Sequence, residues 1–340
     1  MRRLLSVPLL LLSTTAWAEV PRVATDIAPV HSLVAMVMDG VGTPDLTIPG
    51  GASPHSYAMR PSEARALTNA DLVVWIGPSL TSWLADPIET LAGGAVHLEL
   101  EDVAGTILLE NRENVAFEAH DHGADHGGHK EHDDHAAGHD DHKEHDDHAA
   151  GHDGQKEHDD HGHAAGGFDP HSWLDPVNAS LWLGEIATAL ATIDPKNAAI
   201  YSANAAKGQE NLAALQATLQ ARLTPLQGAP FVVFHDAYHY FEARFGVEAQ
   251  AALSLSDGAA PSAARLAEVR DVISASQAVC VFTEPQFNPG MIEALQDGGP
   301  LKTASLDPLG ANVTPGPALY ASLLSGLTDA FVLCLSDTSN

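Results

Sequence analysis

The sequence predicts an α/β fold of two lobes, each a mainly parallel four-stranded sheet with flanking helices, joined by one long helix. Short apolar runs typical of buried strands alternate with helical patterns, which is the arrangement of a parallel sheet covered by helices. One uninterrupted helical pattern over residues 196–223 divides two such alternating regions. We therefore expect a first lobe at 19–194, a linking helix at 195–225 and a second lobe at 226–340.

The first lobe is predicted to contain four strands separated by helices. Pro61 opens one of these helices, at a position where its missing amide hydrogen costs nothing. The expected strands are 22–25, 46–48, 71–77 and 96–98. The expected helices are 29–39, 61–69, 80–91 and 177–193.

The linking helix and the second lobe are predicted from the same kinds of sequence pattern. The leucines of the linking helix are spaced three or four residues apart, and no proline occurs before Pro225. The expected strands of the second lobe are 231–235, 247–253, 279–283 and 303–306. Its expected helices are 238–245, 261–274, 289–295 and 317–335.

The N-terminus has the pattern of a secretory signal peptide at residues 1–18. Arg2 and Arg3 precede an apolar run that is too short to span a bilayer, and Ala16-Trp17-Ala18 is an A-x-A cleavage site. We expect cleavage near Ala18 and an exported protein with no stable membrane insertion, because no later segment has eighteen uninterrupted apolar residues.

The formal charge of −29 argues against nucleic acid as a partner.

The two cysteines, Cys280 and Cys334, are expected to form one disulfide, as a lone pair in an exported protein does. The rival interpretation is a pair of zinc thiolates. It is less favoured because both cysteines lie in apolar runs and not in a CxxC motif.

Residues 118–166 are predicted to be a disordered, His/Asp-rich loop. The segment has no aliphatic side chain larger than alanine between positions 120 and 163, so it cannot bury enough apolar surface to offset the entropy of ordering. Lys-Glu-His-Asp-Asp-His recurs there with a thirteen-residue period. Imidazoles and carboxylates at this density suit weak, auxiliary zinc binding, and the alternative is an acidic solubilising loop. The histidines are His120, His122, His126, His129, His132, His135, His139, His142, His145, His148, His152, His158, His161 and His163.

Three other histidines are the candidate ligands of a separate metal site: His55, His171 and His235. Each lies in a loop or at the end of a strand, where ligands of α/β proteins gather. Asp307, which follows a predicted strand, is the candidate fourth ligand, and Glu284 is the reserve. Three imidazoles and one carboxylate suit tetrahedral zinc, whereas manganese prefers more oxygen ligands.

The remaining histidines, His31, His97 and His239, are interpreted as surface or packing residues. His235-Asp-Ala-Tyr-His239 resembles the HExxH motif of zinc proteases, which needs both histidines on one helical face. His235 is predicted to end a strand instead, so a zinc hydrolase is the least favoured function.

Five motifs together resemble the zinc-binding periplasmic components of ABC importers, the ZnuA-like group. They are Gly51-Ala-Ser-Pro-His-Ser-Tyr-Ala-Met-Arg-Pro61, Asp169-Pro-His-Ser-Trp-Leu-Asp-Pro176, Phe234-His-Asp-Ala-Tyr-His-Tyr-Phe241, Phe282-Thr-Glu-Pro-Gln-Phe287 and Leu306-Asp-Pro-Leu-Gly310. The resemblance implies a Zn²⁺ ion held between the lobes by His55, His171 and His235. It also implies a Cys280–Cys334 disulfide, and near-site supports at Tyr57, Arg60 and Trp173.

The same resemblance implies a periplasmic protein that is not an enzyme and that delivers zinc to an inner-membrane ABC permease; we expect a monomer. Some members have Glu immediately before the first histidine, and this chain has Pro54. That leaves the fourth position to Asp307 or to water. The alternatives are a manganese importer component and a metal-dependent adhesin.

Overall fold

The computed structural model describes residues 20–112, 117, 167–254, 262–285 and 301–336. The predicted signal peptide, the helix expected at 289–295 and the His/Asp-rich loop at 118–166 lie outside these residues.

Two parallel four-stranded sheets form the framework of the molecule. The first sheet contains β1 (Val23–Thr25), β2 (Asp45–Leu46), β3 (Leu72–Trp75) and β4 (Val96–Glu99), in the order β2-β1-β3-β4. The second contains β5 (Phe231–His235), β6 (Ala249–Ser254), β7 (Cys280–Thr283) and β8 (Lys302–Ser305), in the order β6-β5-β7-β8. This is the predicted α/β class. Parallel pairing places the carboxyl ends of all strands of a sheet at one edge.

Eight α-helices and two 3₁₀ turns are assigned within the described residues. The helices of the first lobe are α1 (Ala28–Val37), α2 (Pro61–Thr68), α3 (Pro78–Leu91) and α4 (Pro176–Ile193), with a 3₁₀ turn at Ser172–Leu174. Those that follow are α5 (Ala198–Leu223), a 3₁₀ turn at Thr224–Leu226, α6 (His239–Phe245), α7 (Ala263–Ser276) and α8 (Leu319–Leu335).

The long helix α5 contacts elements of both lobes. It packs against α1 and α4 on one side and against α6 and α8 on the other. Gly208 permits the close approach to α4, because a Cβ there would lie 2.8 Å from Leu183 Cδ1. Asn204 Nδ2 donates to the carbonyl of Val37 at 3.0 Å and so joins α5 to α1.

One continuous apolar core includes residues of both sheets. It extends from Val23 and Val74 in the first sheet to Phe231 and Phe282 in the second. Helix α8 also crosses between the lobes, since the backbone N–H of Tyr320 donates to Ser32 Oγ of α1 at 3.0 Å. The lobes therefore share buried surface as well as the linking helix.

The predicted disulfide is present. It joins Cys280 of β7 to Cys334 of α8, with the two Cα atoms 5.9 Å apart. None of the described helices is both long enough and apolar enough to cross a membrane.

Candidate metal centre

Three histidines from distant parts of the chain meet between the two lobes. One side-chain nitrogen from each of His55, His171 and His235 lies within 4.8 Å of the other two. Their ring centroids are 4.9 to 6.0 Å apart. His171 and His235 are buried and His55 is half-buried. This is a donor set that could hold one metal ion.

His55 lies in the loop between β2 and α2, and neighbouring side chains support that loop. The indole Nε1 of Trp83 donates to the carbonyl of Pro54 at 2.8 Å. The hydroxyl of Tyr57 donates to Glu63 at 2.8 Å, so the residues on either side of His55 are both anchored. These contacts hold the loop on both sides of His55, and the role of Tyr57 as a near-site support stays a prediction.

His171 is oriented by the carboxylate of Asp169. Oδ1 of Asp169 lies 2.7 Å from Nδ1 of His171 and also accepts the backbone N–H of His171 at 2.9 Å. An ionised Asp169 accepts the proton on Nδ1, which leaves Nε2 of His171 with a lone pair for a metal. Burial raises the pKa of Asp169, and the backbone N–H bond from His171 together with the charges of His239 and Arg112 opposes that rise.

Trp173 anchors the turn that follows His171 to the second lobe. Its indole Nε1 donates to the carbonyl of Pro308 at 2.8 Å, and the hydroxyl of Tyr320 donates to the Trp173 carbonyl at 2.7 Å. The ring centroids of Trp173 and His171 lie 5.2 Å apart. Trp173 therefore joins the two lobes next to His171, and its role as a near-site support stays a prediction.

His235 is the last residue of β5, a central strand of the second sheet. Its Nδ1 lies 3.3 Å from Oε1 of Glu284, and both side chains are almost fully buried. Glu284 directly follows β7, which pairs with β5, so the sheet brings the two residues to the same edge. Glu284 thus places a buried carboxylate beside His235, at a longer distance than the 2.7 Å hydrogen bond between Asp169 and His171.

Asp307 follows β8 at the same edge of the second sheet. Its Oδ1 accepts the backbone N–H of Leu309 at 3.2 Å, and the side chain is half-buried. Among the described residues, the group of mutually close ligand atoms consists of the three histidines and does not include Asp307 or Glu284. The assignment of Asp307 as the fourth ligand stays a prediction.

The histidines that were not expected to bind metal have separate environments. His31 is buried in α1, where burial lowers its pKa, and its Nε2 lies 3.1 Å from the carbonyl of Pro44. His97 is exposed on β4. His239 begins α6 whereas His235 ends β5, so the two do not share a helical face as HExxH requires. The fourteen histidines of the His/Asp-rich loop lie outside the described residues.

Buried acids line the carboxyl end of the first sheet. Burial raises the pKa of Asp26 to about 7 and that of Glu101 to about 8. The negative charges of Glu99, Asp169 and Asp26 add to the effect on Glu101. Near neutral pH these two carboxyls therefore hold part or most of their protons, and this end of the sheet carries less negative charge than the number of acids suggests.

Several supporting residues were not identified from the sequence. Asp169 lies two residues before His171, and at this spacing an aspartate often accepts a hydrogen bond from the backbone N–H. The sequence therefore did contain a pattern that could have identified Asp169. His239 Nδ1 lies 3.8 Å from Oδ2 of Asp169, closer to the site than its interpretation as a packing residue suggested. Nothing in the sequence pattern marks Arg112, which reaches the second lobe beside His235.

The family model and the curated relatives agree on one group. The family model described as "Zinc-uptake complex component A periplasmic" matches residues 23–334. A protein of Paracoccus denitrificans named "High-affinity zinc uptake system protein ZnuA" is 50% identical over 321 residues, covering 94% of this chain and 93% of that protein. A protein of the same name from Brucella suis is 45% identical over 314 residues, covering 92% and 91%.

The fold is also similar to that of a solved structure. A solved structure described as "Crystal structure of ZnuA" matches with a TM-score of 0.70 at 21% identity, covering 94% of this chain and 100% of that one.

Proposed function

Because this chain belongs to the family of periplasmic zinc-uptake complex A components, we propose that it captures one Zn²⁺ ion between its lobes for import. His55, His171 and His235 are the proposed ligands, and Asp307 or water completes the coordination. The observation that carries the proposal is the convergence of three imidazoles that are far apart in the sequence.

The donor chemistry favours zinc over manganese. Three neutral imidazole nitrogens and one carboxylate form a set typical of zinc, whereas manganese prefers carboxylate, carbonyl and water oxygens. Asp169 and Glu284 support the choice, because carboxylates behind zinc-bound imidazoles orient the rings and make the nitrogens more basic. A manganese importer component or a metal-dependent adhesin is less well supported by these donors.

The protein's task is to bind and release its cargo, and we propose no catalysed reaction. Zinc binding needs deprotonated imidazoles, so affinity falls as the histidines protonate below about pH 6. We propose that the protein acts in the periplasm as a monomer after cleavage near Ala18, and that docking on an inner-membrane ABC permease disturbs the site and releases the ion.

We assign the fourteen histidines of the His/Asp-rich loop to a second, weaker tier of zinc binding. Their composition supports this role, because imidazoles and carboxylates at this density are zinc ligands. The loop would raise the local supply of zinc near the interlobe site.

Substitution of His235 by Ala tests the primary site. We expect the zinc affinity, measured by competition with a chelator, to fall by at least about tenfold, because the remaining donors cannot replace a buried imidazole. His97→Ala is the matched control, since His97 is exposed and lies outside the cluster. Unchanged affinity in the His235→Ala variant would remove the basis of the assignment.

Deletion of residues 120–163 tests the second tier. Bound zinc is counted by elemental analysis after equilibration at increasing free zinc. The total should fall, while one ion remains bound with the affinity of the intact protein. If the deletion abolished tight binding as well, the two tiers would not be separate.

A further inference from the structure

Arg112 lies beside the segment that leads into His171. The backbone N–H of Asn111 donates to the carbonyl of Gly167 at 3.0 Å, and that of Asp169 donates to the carbonyl of Leu109 at 2.8 Å. A bridge between Glu110 and Phe168 completes this short antiparallel pairing. The position of Arg112 is therefore tied to the first-lobe segment that carries Asp169 and His171.

The side chain of Arg112 crosses to the second lobe and contacts two carboxylates there. Its Nε donates to Asp236 Oδ2 at 3.1 Å and its second terminal nitrogen donates to Asp236 Oδ1. The other terminal nitrogen donates to Glu242 Oε2 at 2.7 Å. The side chains of Arg112, Asp236 and Glu242 are only 11%, 7% and 1% exposed. The guanidinium carbon also lies 3.8 Å from the ring centroid of Phe117, which covers one face of the group.

Asp236 directly follows the proposed ligand His235. Its backbone N–H donates to the carbonyl of Ser254 at 3.2 Å, and the N–H of Ala237 donates to the carbonyl of His235 at 2.9 Å. Asp236 and His235 are thus held on one short, bonded stretch of backbone. A shift of the Asp236 carboxylate would move the backbone that carries His235.

We propose that Arg112 is a positioning residue of the metal site, which holds His235 of the second lobe in place against His171 of the first. This inference deepens the proposed function and rests on it. The link runs from the segment before His171, through the guanidinium of Arg112, to the residue that follows His235. A change at Arg112 should therefore alter the spacing of two imidazoles that it does not touch.

The chemistry of the contact explains why arginine occupies the position. A guanidinium presents a planar fork of donors that can bond both oxygens of Asp236 and still reach Glu242, whereas a lysine ammonium is a point charge. Burial raises the pKa of Glu242, and the charge of Arg112 is the main opposing influence. Without Arg112, the buried carboxylates of Asp236 and Glu242 would lose the guanidinium that contacts both of them.

The test compares Arg112→Met and Arg112→Lys with the matched control Arg222→Met. Arg222 also bonds a carboxylate, Asp329 at 2.7 Å, but the pair is exposed and joins α5 to α8. Zinc affinity is measured by chelator competition. The visible absorption spectrum of the Co²⁺-loaded protein reports the coordination geometry, which a loss of stability alone would not change.

We expect Arg112→Met to bind zinc about tenfold more weakly and to give an altered Co²⁺ spectrum, with a smaller effect in Arg112→Lys. Arg222→Met should match the wild type in both measurements. Wild-type affinity and spectrum in Arg112→Met, even with a lowered melting temperature, would overturn the proposal. If Arg112→Met does not fold, the same two measurements on Arg112→Lys decide. Unchanged affinity in His235→Ala would instead overturn the zinc site itself.

Discussion

A buried carboxylate lies behind each of the two buried histidines among the proposed ligands. Asp169 and Glu284 each stand behind one buried imidazole, at 2.7 Å from Nδ1 of His171 and 3.3 Å from Nδ1 of His235. The half-buried His55 is held by backbone and ring contacts of its loop instead. A residue next to the site can therefore control affinity without touching the ion.

Substitution of Asp169 by Ala should weaken zinc binding by about 10- to 100-fold, because His171 loses the acceptor that orients its ring and sets its tautomer. Isothermal titration with a competing chelator measures the change. Asp194→Ala is the control: Asp194 is also a buried acid that accepts bonds from Tyr201 and Asn197, but it stands at the α4–α5 junction. It should lower the melting temperature and leave zinc affinity unchanged. Equal affinity losses in both variants would contradict the specific role of Asp169.

At the scale of elements, the carboxyl ends of parallel strands bring the functional groups together. His235 ends β5 and Glu284 follows the neighbouring strand β7 in the second sheet, and Asp26 and Glu101 follow strands of the first. The same geometry that assembles a metal site also crowds acids at the first sheet, and that crowding has a cost in stability.

Substitution of Glu101 by Gln tests this cost. Burial raises the pKa of Glu101 from 4.5 to about 8, so the folded protein binds this proton more tightly than the unfolded chain does. The stability contributed by the group therefore falls as pH rises from about 4.5 to about 8. Glutamine stays neutral and can keep the bond from Ser79. The gain in melting temperature over wild type should grow between pH 5 and pH 8 and then level off. A gain independent of pH would contradict the raised pKa.

The α4–α5 contact offers a second test at this scale. Gly208→Ala places a Cβ 2.8 Å from the buried Leu183, so its cost in packing should exceed the usual gain of alanine in a helix. We expect a net loss of about 1 kcal/mol in the free energy of unfolding, measured by urea denaturation. Gly184→Ala in α4 is the control, since its Cβ would meet nothing closer than 3.6 Å. That variant should gain about 0.5–1 kcal/mol. The prediction fails if both variants are stabilised.

The whole molecule is organised by one core that spans both lobes. Helix α5, helix α8 and the ion pairs of Arg112 and Arg244 all cross between them. Such shared burial favours a modest tilt of the lobes during zinc release over a wide hinge motion.

The shared core predicts that the two lobes unfold together. Differential scanning calorimetry of the zinc-free protein should show one transition, because most buried apolar residues of the described chain belong to the cluster that both lobes share. Zinc should raise its midpoint by binding only the folded state. Two resolved transitions would show that the lobes are independent.

Local sequence patterns were sufficient to predict the α/β class and both parallel sheets. They were also sufficient to identify His55, His171 and His235 as candidate ligands. Strand and helix periodicity is a property of neighbouring residues, and the histidines stand beside recognisable strand ends and prolines. The expected bounds differ from the observed ones by a few residues, as with the strand expected at 71–77 and observed at Leu72–Trp75, because hydrogen bonding to neighbours decides where pairing stops.

Tertiary structure decided what lies around those histidines. The meeting of the three imidazoles, the placement of Glu284 behind His235 and the reach of Arg112 to Asp236 and Glu242 join residues far apart in the chain. Such contacts depend on how two sheets are set against each other by a shared core, and no local pattern encodes that arrangement.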